Sequence, residues 1–144
     1  MISKLITRAR EERGFTLIEL LVVILIIGIL AAIALPSFIN QRTKGQDAEA
    51  KASVRTAQTA METYYTDNQT YNTDWTGLQG IESSLSNAPQ GSGGSTAPTA
   101  SGTGTTYTIT VAAKSGNTFT ASRAASGLVT RSCTGSGGCN GGSW

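Results

Sequence analysis

Hydrophobic and polar positions divide this chain into three regimes. From Phe15 to Leu35 nearly every position is apolar: fifteen of the 21 residues are Leu, Ile, Val or Phe. Glu19 is the single carboxylate in that run. After Pro36 the pattern becomes amphipathic, with Ala50, Val54, Ala57, Met61 and Tyr64 recurring at spacings of three and four. That periodicity predicts a helix with one buried face. Asp47 and Lys51, at i and i+4, fall on its polar flank, a pair worth only about 0.2–0.5 kcal/mol. The helix is expected to end near Asp67-Asn68. A continuous helix from Phe15 to Thr66 would be about 78 Å long at 1.5 Å per residue. In it, residues 15–35 form a membrane or filament-core half and residues 36–66 an amphipathic spine.

The third regime, residues 67–144, reads as a globular head. Residues 67–82 form a connecting loop whose Tyr71, Trp75, Leu78 and Ile81 can fold back onto it. Residues 83–106 are dominated by Ser, Gly, Thr and Ala, with Pro89 and Pro98, a composition that predicts a mobile surface loop. Period-two alternation then sets in. Tyr107, Ile109, Val111 and Ala113 share one face of a strand spanning Thr106 to Ala113. Lys114-Ser115-Gly116-Asn117 is a turn, and Thr118 to Ser122 returns with Phe119 and Ala121 facing inward. Ser126-Gly127 turns again, and Leu128 to Cys133 forms a third strand. Three short antiparallel strands with one apolar face must cover something. The stripe of residues 50–64 is the partner, so the expected fold is α+β, a long N-terminal helix packed on a small antiparallel sheet.

The apolar run is long enough to span a bilayer. At roughly −0.3 to −0.6 kcal/mol each, its fifteen large apolar residues supply about −4.5 to −9 kcal/mol for insertion, against at most about 3 kcal/mol for the acid. Two simpler readings compete. Ala32-Ile33-Ala34 fits the small-x-small rule of a secretory signal peptide, but the run exceeds the usual apolar core of about 7–15 residues, and Glu19 would interrupt that core. A plain single-pass anchor needs neither the acid nor a glycine ahead of the run.

Residues 1–14 carry Lys4, Arg8, Arg10 and Arg13 against Glu11 and Glu12, and end in Gly14. This basic excess is a topology signal, because positive flanks stay cytoplasmic. Without it the formal charge falls from +2 to 0. The arrangement of charged leader, Gly14, Phe15, apolar run and a glutamate five residues in resembles the prepilin signature of type IV pilins and their pseudopilin relatives. The resemblance covers residues 1 to about 70. It implies that a membrane peptidase cuts after Gly14 and methylates the new N-terminal Phe15. It also implies that Glu19 serves subunit assembly by pairing with the Phe15 amine of a neighbour. The charge logic agrees, because a buried carboxylate needs a buried cation; a tolerated acid near the membrane interface is the alternative. Gly28 and Pro36 mark the weakest stretch of the helix. In related pili this stretch loses helical structure on assembly, although a proline kink without function would leave the same trace.

Cys133 and Cys139 are the only cysteines. Outside the cytoplasm they are expected to oxidise, pinning a Gly-rich tail that has little packing of its own; two free thiols are the alternative. The Asn68-Gln69-Thr70 triplet fits the N-glycosylation pattern, and a helix-terminating turn explains Asn68 as well. The Tyr64-Tyr65 pair is read as packing.

Histidine is absent, which removes the commonest general base and metal ligand. An enzyme is therefore not expected, nor any cofactor or metal. The expected function is a structural pilus subunit that forms a homopolymer. The resemblance implies a prepilin peptidase, an assembly platform and ATPases as partners, with residence in the cytoplasmic membrane before assembly and at the cell surface after it. A major pseudopilin of a secretion system and a minor tip pilin binding DNA or a surface are the alternatives. Calcium, common in major pseudopilins, needs several oxygen ligands, yet no Asp or Glu follows Glu82. Lys114, Arg123 and Arg131 are the only charges in that region, too few to predict a nucleic-acid partner.

Overall fold

The computed structural model describes residues 14–94 and 96–144. The leader through Arg13 lies outside them. The backbone falls into two units, one ending at Ser37 and one running from Phe38 to Trp144. Helix α1, Leu17–Asn68, begins in the first and ends in the second.

In the first unit the large apolar side chains of α1 are all exposed, from Val22 at 43% to Leu17 at 81%. This stretch is long and apolar enough to cross a membrane. Gly28 and Pro36 both lie inside unbroken helix. Proline there removes one backbone hydrogen bond, and no Cβ covers the backbone at Gly28, so the weak stretch is present but helical.

In the second unit α1 supplies one wall of the core. Ala50, Val54, Ala57 and Met61 are fully buried, as their periodicity predicts. Tyr64 is only half-buried, and its hydroxyl donates to the Asn72 carbonyl at 3.2 Å. The helix stops where expected, at Asn68, because Gln69 takes a left-handed φ of 56° and its N–H bonds back to the Tyr65 carbonyl. The Asn68 side-chain amide donates to the Tyr64 carbonyl, as a helix-terminating role requires.

The other wall is an antiparallel sheet in the order β1-β2-β3-β4, with β1 Thr99–Thr103, β2 Thr106–Ala112, β3 Thr118–Arg123 and β4 Val129–Thr134. Its register stacks Val111, Phe119 and Cys133 in one row and Ala100, Ile109 and Ala121 in the next. All six are buried and belong to one core cluster with the α1 stripe.

The sheet has four strands, where alternation gave three. Strand β1 lies within the stretch expected to be a mobile loop. Only Ala100 points its side chain into the core, and Gly102 is required because a Cβ there would collide with the Tyr71 backbone. The same stretch holds a 3-10 turn, Ser83–Asn87, that buries Leu85. The expected 67–82 loop contains helix α2, Trp75–Ile81, which buries Leu78 and is capped by Asp74 accepting from the Gly77 N–H at 2.8 Å. The last strand starts at Val129; Leu128 is 64% exposed in the turn before it.

Each side of the sheet has backbone company. The Tyr71 N–H donates to the Gly104 carbonyl at 2.9 Å, and Asp74 bridges to Ser101 of β1. Beyond β4, the Cys133 N–H donates to the Gly142 carbonyl at 2.9 Å.

Candidate functional site

The N-terminal junction is the first site the sequence singled out. Gly14 and Phe15 precede α1, and Phe15 is 80% exposed. Thr16 and Glu19 form a reciprocal cap. The Thr16 N–H and hydroxyl donate to the Glu19 carboxylate at 2.9 and 2.8 Å, and the Glu19 N–H donates to the Thr16 hydroxyl at 3.2 Å. This is a capping box, which satisfies helix-start donors that would otherwise lack partners. In this subunit the acid therefore engages its own helix start.

The second site is the Cys loop. Cys133 and Cys139 are disulfide-bonded, with Cα atoms 5.6 Å apart. What holds the loop in place was not anticipated. Asp47, expected on a polar flank, is 1% exposed. Its carboxylate accepts from the Ser115 hydroxyl, from Asn117 Nδ2 at 2.9 Å and from the Gly138 N–H at 3.0 Å. Asn117 in turn binds the loop from both ends of its amide, donating to the Ser136 carbonyl and accepting from the Ser136 N–H. Lys51 does not sit idle on the flank either: its ammonium donates to the Gly138 carbonyl at 2.7 Å. Gly138 fits because a Cβ there would collide with the Asp47 carboxylate. One buried charge thus ties α1, the β2–β3 turn and the Cys loop together. An i, i+4 charge pair carries no signal that its acid faces inward.

The tail is also better packed than its composition suggests. The Trp144 ring meets Phe119 edge-on at 5.8 Å, and its Nε1 donates to the Thr120 carbonyl at 3.3 Å. The guanidinium groups of Arg55 on α1 and Arg131 on β4 each lie 5.5 Å from the Trp144 ring centre. Arg131 also donates to Gln58 at 3.3 Å. One turn before Arg55, the Lys51 ammonium lies 5.2 Å from the Phe119 ring centre. Farther along α1 the charge changes sign at Glu62. That carboxylate accepts from Tyr71 at 2.6 Å and Tyr107 at 3.4 Å and pairs with Arg123 at 3.6 Å. Tyr65 stacks on Tyr71 at 4.5 Å, which gives the expected packing role to one member of the Tyr64-Tyr65 pair. Burial, and the Glu62 carboxylate it donates to, push the Tyr71 phenol up to about 12. Tyr107 is raised too, first by burial. Among the described residues no group of His, Cys, Asp and Glu could hold a metal ion.

Comparison with known proteins fits this anatomy. Residues 9–35 match the prokaryotic N-terminal methylation motif. Residues 36–139 match the family described as type IV minor pilin ComP, DNA uptake sequence receptor. Among curated relatives, the type IV major pilin protein PilA of Myxococcus xanthus is 45% identical over 61 residues, 42% of this chain and 28% of the relative. The type II secretion system core protein G of Klebsiella michiganensis is 34% identical over 83 residues, 58% of each chain. The same protein of Escherichia coli is 35% identical over 71 residues, 49% of each. The matches thus span between about a quarter and three-fifths of these relatives' lengths. An N-terminal methylation motif joined to a ComP-type head of one helix and an antiparallel sheet places this chain in the type IV pilin and pseudopilin family, in the ComP minor pilin group.

Proposed function

We propose that this chain is a structural subunit of a type IV filament, cleaved after Gly14, methylated on Phe15 and polymerised through its apolar helix. The observation that carries this reading is a wholly exposed apolar helix holding one acid, set directly behind the Gly14-Phe15 junction. Before assembly the helix spans the cytoplasmic membrane; afterwards it lies in a filament core at the cell surface. Assembly is an exchange at Glu19. The carboxylate leaves the Thr16 cap and takes the Phe15 amine of a neighbour, which would otherwise be a buried, unpaired cation costing several kcal/mol. The stretch between Gly28 and Pro36 supplies the slack that packing needs. A prepilin peptidase, an assembly platform and its ATPases act on the subunit in turn.

Glu19→Leu tests this. Losing the acid favours membrane residence, so membrane fractions should hold normal amounts of subunit while sheared surface fractions lose it. Normal filament yield from Glu19→Leu would refute the exchange.

A second reading concerns the head. The match of residues 36–139 to a family described as a DNA uptake sequence receptor favours a minor, DNA-contacting pilin. A major pseudopilin is less favoured, since the head pins its loop with a disulfide and carries no acid after Glu82. Abundance in sheared filaments separates a major from a minor subunit.

A further inference from the structure

We propose that Phe38, Ile39 and Arg42 of α1, with Lys114 of the β2–β3 turn, form a docking surface for anionic phospholipid headgroups in the outer leaflet of the cytoplasmic membrane, a proposal that rests on the membrane-spanning reading above. The four residues line one cavity of about 330 Å³, together with Thr43 and Ser115. The fold makes this surface. Phe38, Ile39 and Arg42 keep helical spacing on one side of α1. Lys114 joins them because its neighbour Ser115 donates to the buried Asp47 carboxylate, which fastens the turn against the helix.

Three observations converge on an anionic bilayer surface. First, spacing along the chain sets the depth. The 21 residues from Phe15 to Leu35 rise about 32 Å as a helix, close to the roughly 30 Å hydrocarbon core. Phe38 and Ile39 follow within about one turn, at the level of a headgroup layer about 5–7 Å deep. They are 70% and 57% exposed, as a membrane-facing pair must be. Arg42 starts about 10 Å past Leu35. Side chains on a helix lean toward its N-terminus, so the long stem lets the guanidinium snorkel back to the phosphates.

Second, the cations are unspent. Among the described residues the ion pairs are Lys114–Glu49 and Arg123–Glu62, and neither includes Arg42 or Lys44. The Lys114–Glu49 pair is exposed and 3.6 Å long, so it yields readily to a phosphate-rich surface. Three exposed cations, Arg42, Lys44 and Lys114, therefore face one exposed acid, Glu49, while Asp47 is buried under its own hydrogen bonds. Third, Arg42 and Lys44 are the first basic residues after Gly14. Once the leader is removed, the electrostatic hold on the bilayer comes from this side alone.

The test uses the full chain in phosphatidylcholine vesicles doped with phosphatidylglycerol or phosphatidylcholine, each carrying a photoreactive group beside its phosphate. Peptide mass spectrometry places the crosslinks, so labelling of the leader is counted apart. The anionic probe should label residues 38–44 and the Lys114–Asn117 turn in preference to the zwitterionic one, by roughly five-fold for each basic residue engaged. Arg42→Gln/Lys114→Gln should lower that preference on the order of twenty-five-fold. Arg42→Lys should keep it, and about 1 M salt should abolish it. Phe38→Ala should reduce labelling by both probes alike, and Arg55→Gln should label as wild type. Equal labelling by the two probes, or an unchanged preference in the double glutamine variant, overturns the headgroup surface. Full competition by soluble glycerol 3-phosphate would make it a soluble-anion site, and labelling that disappears as protein density rises would make it a contact between copies; either result overturns it too. A probe photoreactive at the end of its acyl chain checks the reading beneath. Labelling of residues 15–35 by that probe leaves the membrane-spanning reading standing even where the headgroup surface fails, and no labelling there overturns both.

Discussion

Replacing Asp47 tests the most consequential contact in the head. Asp47→Ala removes the acceptor of three hydrogen bonds, from the Ser115 hydroxyl, Asn117 Nδ2 and the Gly138 N–H. Hydrogen bonds to a charged group contribute about 1.5–3 kcal/mol each, and a buried donor left alone costs about 1–3 kcal/mol. The losses are unequal. Asn117 keeps the Ser136 carbonyl as a partner, whereas among the described residues the Gly138 N–H and the Ser115 hydroxyl donate to Asp47 alone. Against this stands the relief of desolvating a carboxylate that is 1% exposed. The balance predicts a loss of about 3–5 kcal/mol. For a head of this size each kcal/mol shifts Tm by roughly 4–8 °C, so a fall of more than about 12 °C is expected. Asp47→Asn should fall between, because an amide nitrogen must then face one of three donors. The full chain in neutral detergent is suited to thermal melts followed by tryptophan emission, since Trp75 and Trp144 both report on the head. A double-mutant cycle with Cys133→Ser/Cys139→Ser adds a second readout. The disulfide and Asp47 fix the same loop, so the two changes should couple by about 1 kcal/mol or more. A loss below about 1 kcal/mol for Asp47→Ala, or strict additivity in the cycle, would refute this account.

Two further outcomes follow from the head. Reducing the Cys133–Cys139 bond should lower stability by about 2–2.5 kcal/mol in the chain-entropy model for so short a loop; thiol labelling of both cysteines in native, unreduced protein would contradict the bond itself. Because the folded-state pKa of Tyr71 is raised to about 12 from an unfolded value near 10, the unfolded chain loses its proton first. Stability should therefore hold below about pH 10 and decline as pH rises toward about 12. Melts across that range check this, and Tyr71→Phe should flatten the decline.

Much of this architecture is legible in the sequence, and the gaps have physical causes. Strand β2 is read correctly because Tyr107, Ile109 and Val111 alternate with threonines, and the buried face of α1 because Ala50, Val54, Ala57 and Met61 keep helical spacing. Strand β1 escapes because Thr99–Thr103 buries a single alanine and needs a glycine for the close approach of Tyr71. Helix α2 escapes because two of its seven residues are glycines, although Asp74 ahead of it is a usable cap signal. The junction at Gly14, Phe15 and Glu19 is marked locally, so it is visible. The packing of Arg55 and Arg131 on Trp144 is not, because the two meet only when a helix and the far strand of the sheet are brought together.

A sheet rich in threonine is a hazard when many copies are crowded, because an open edge recruits further strands. Here each flank is partly covered by the chain itself. Tyr71 and Asp74 occupy the β1 side, and Gly142 occupies the β4 side. Strand-to-strand zipping between neighbouring heads would first require one of these segments to peel away. Removing Gly142–Trp144 would free the Cys133 N–H on the outer edge of β4 as well as uncover Phe119.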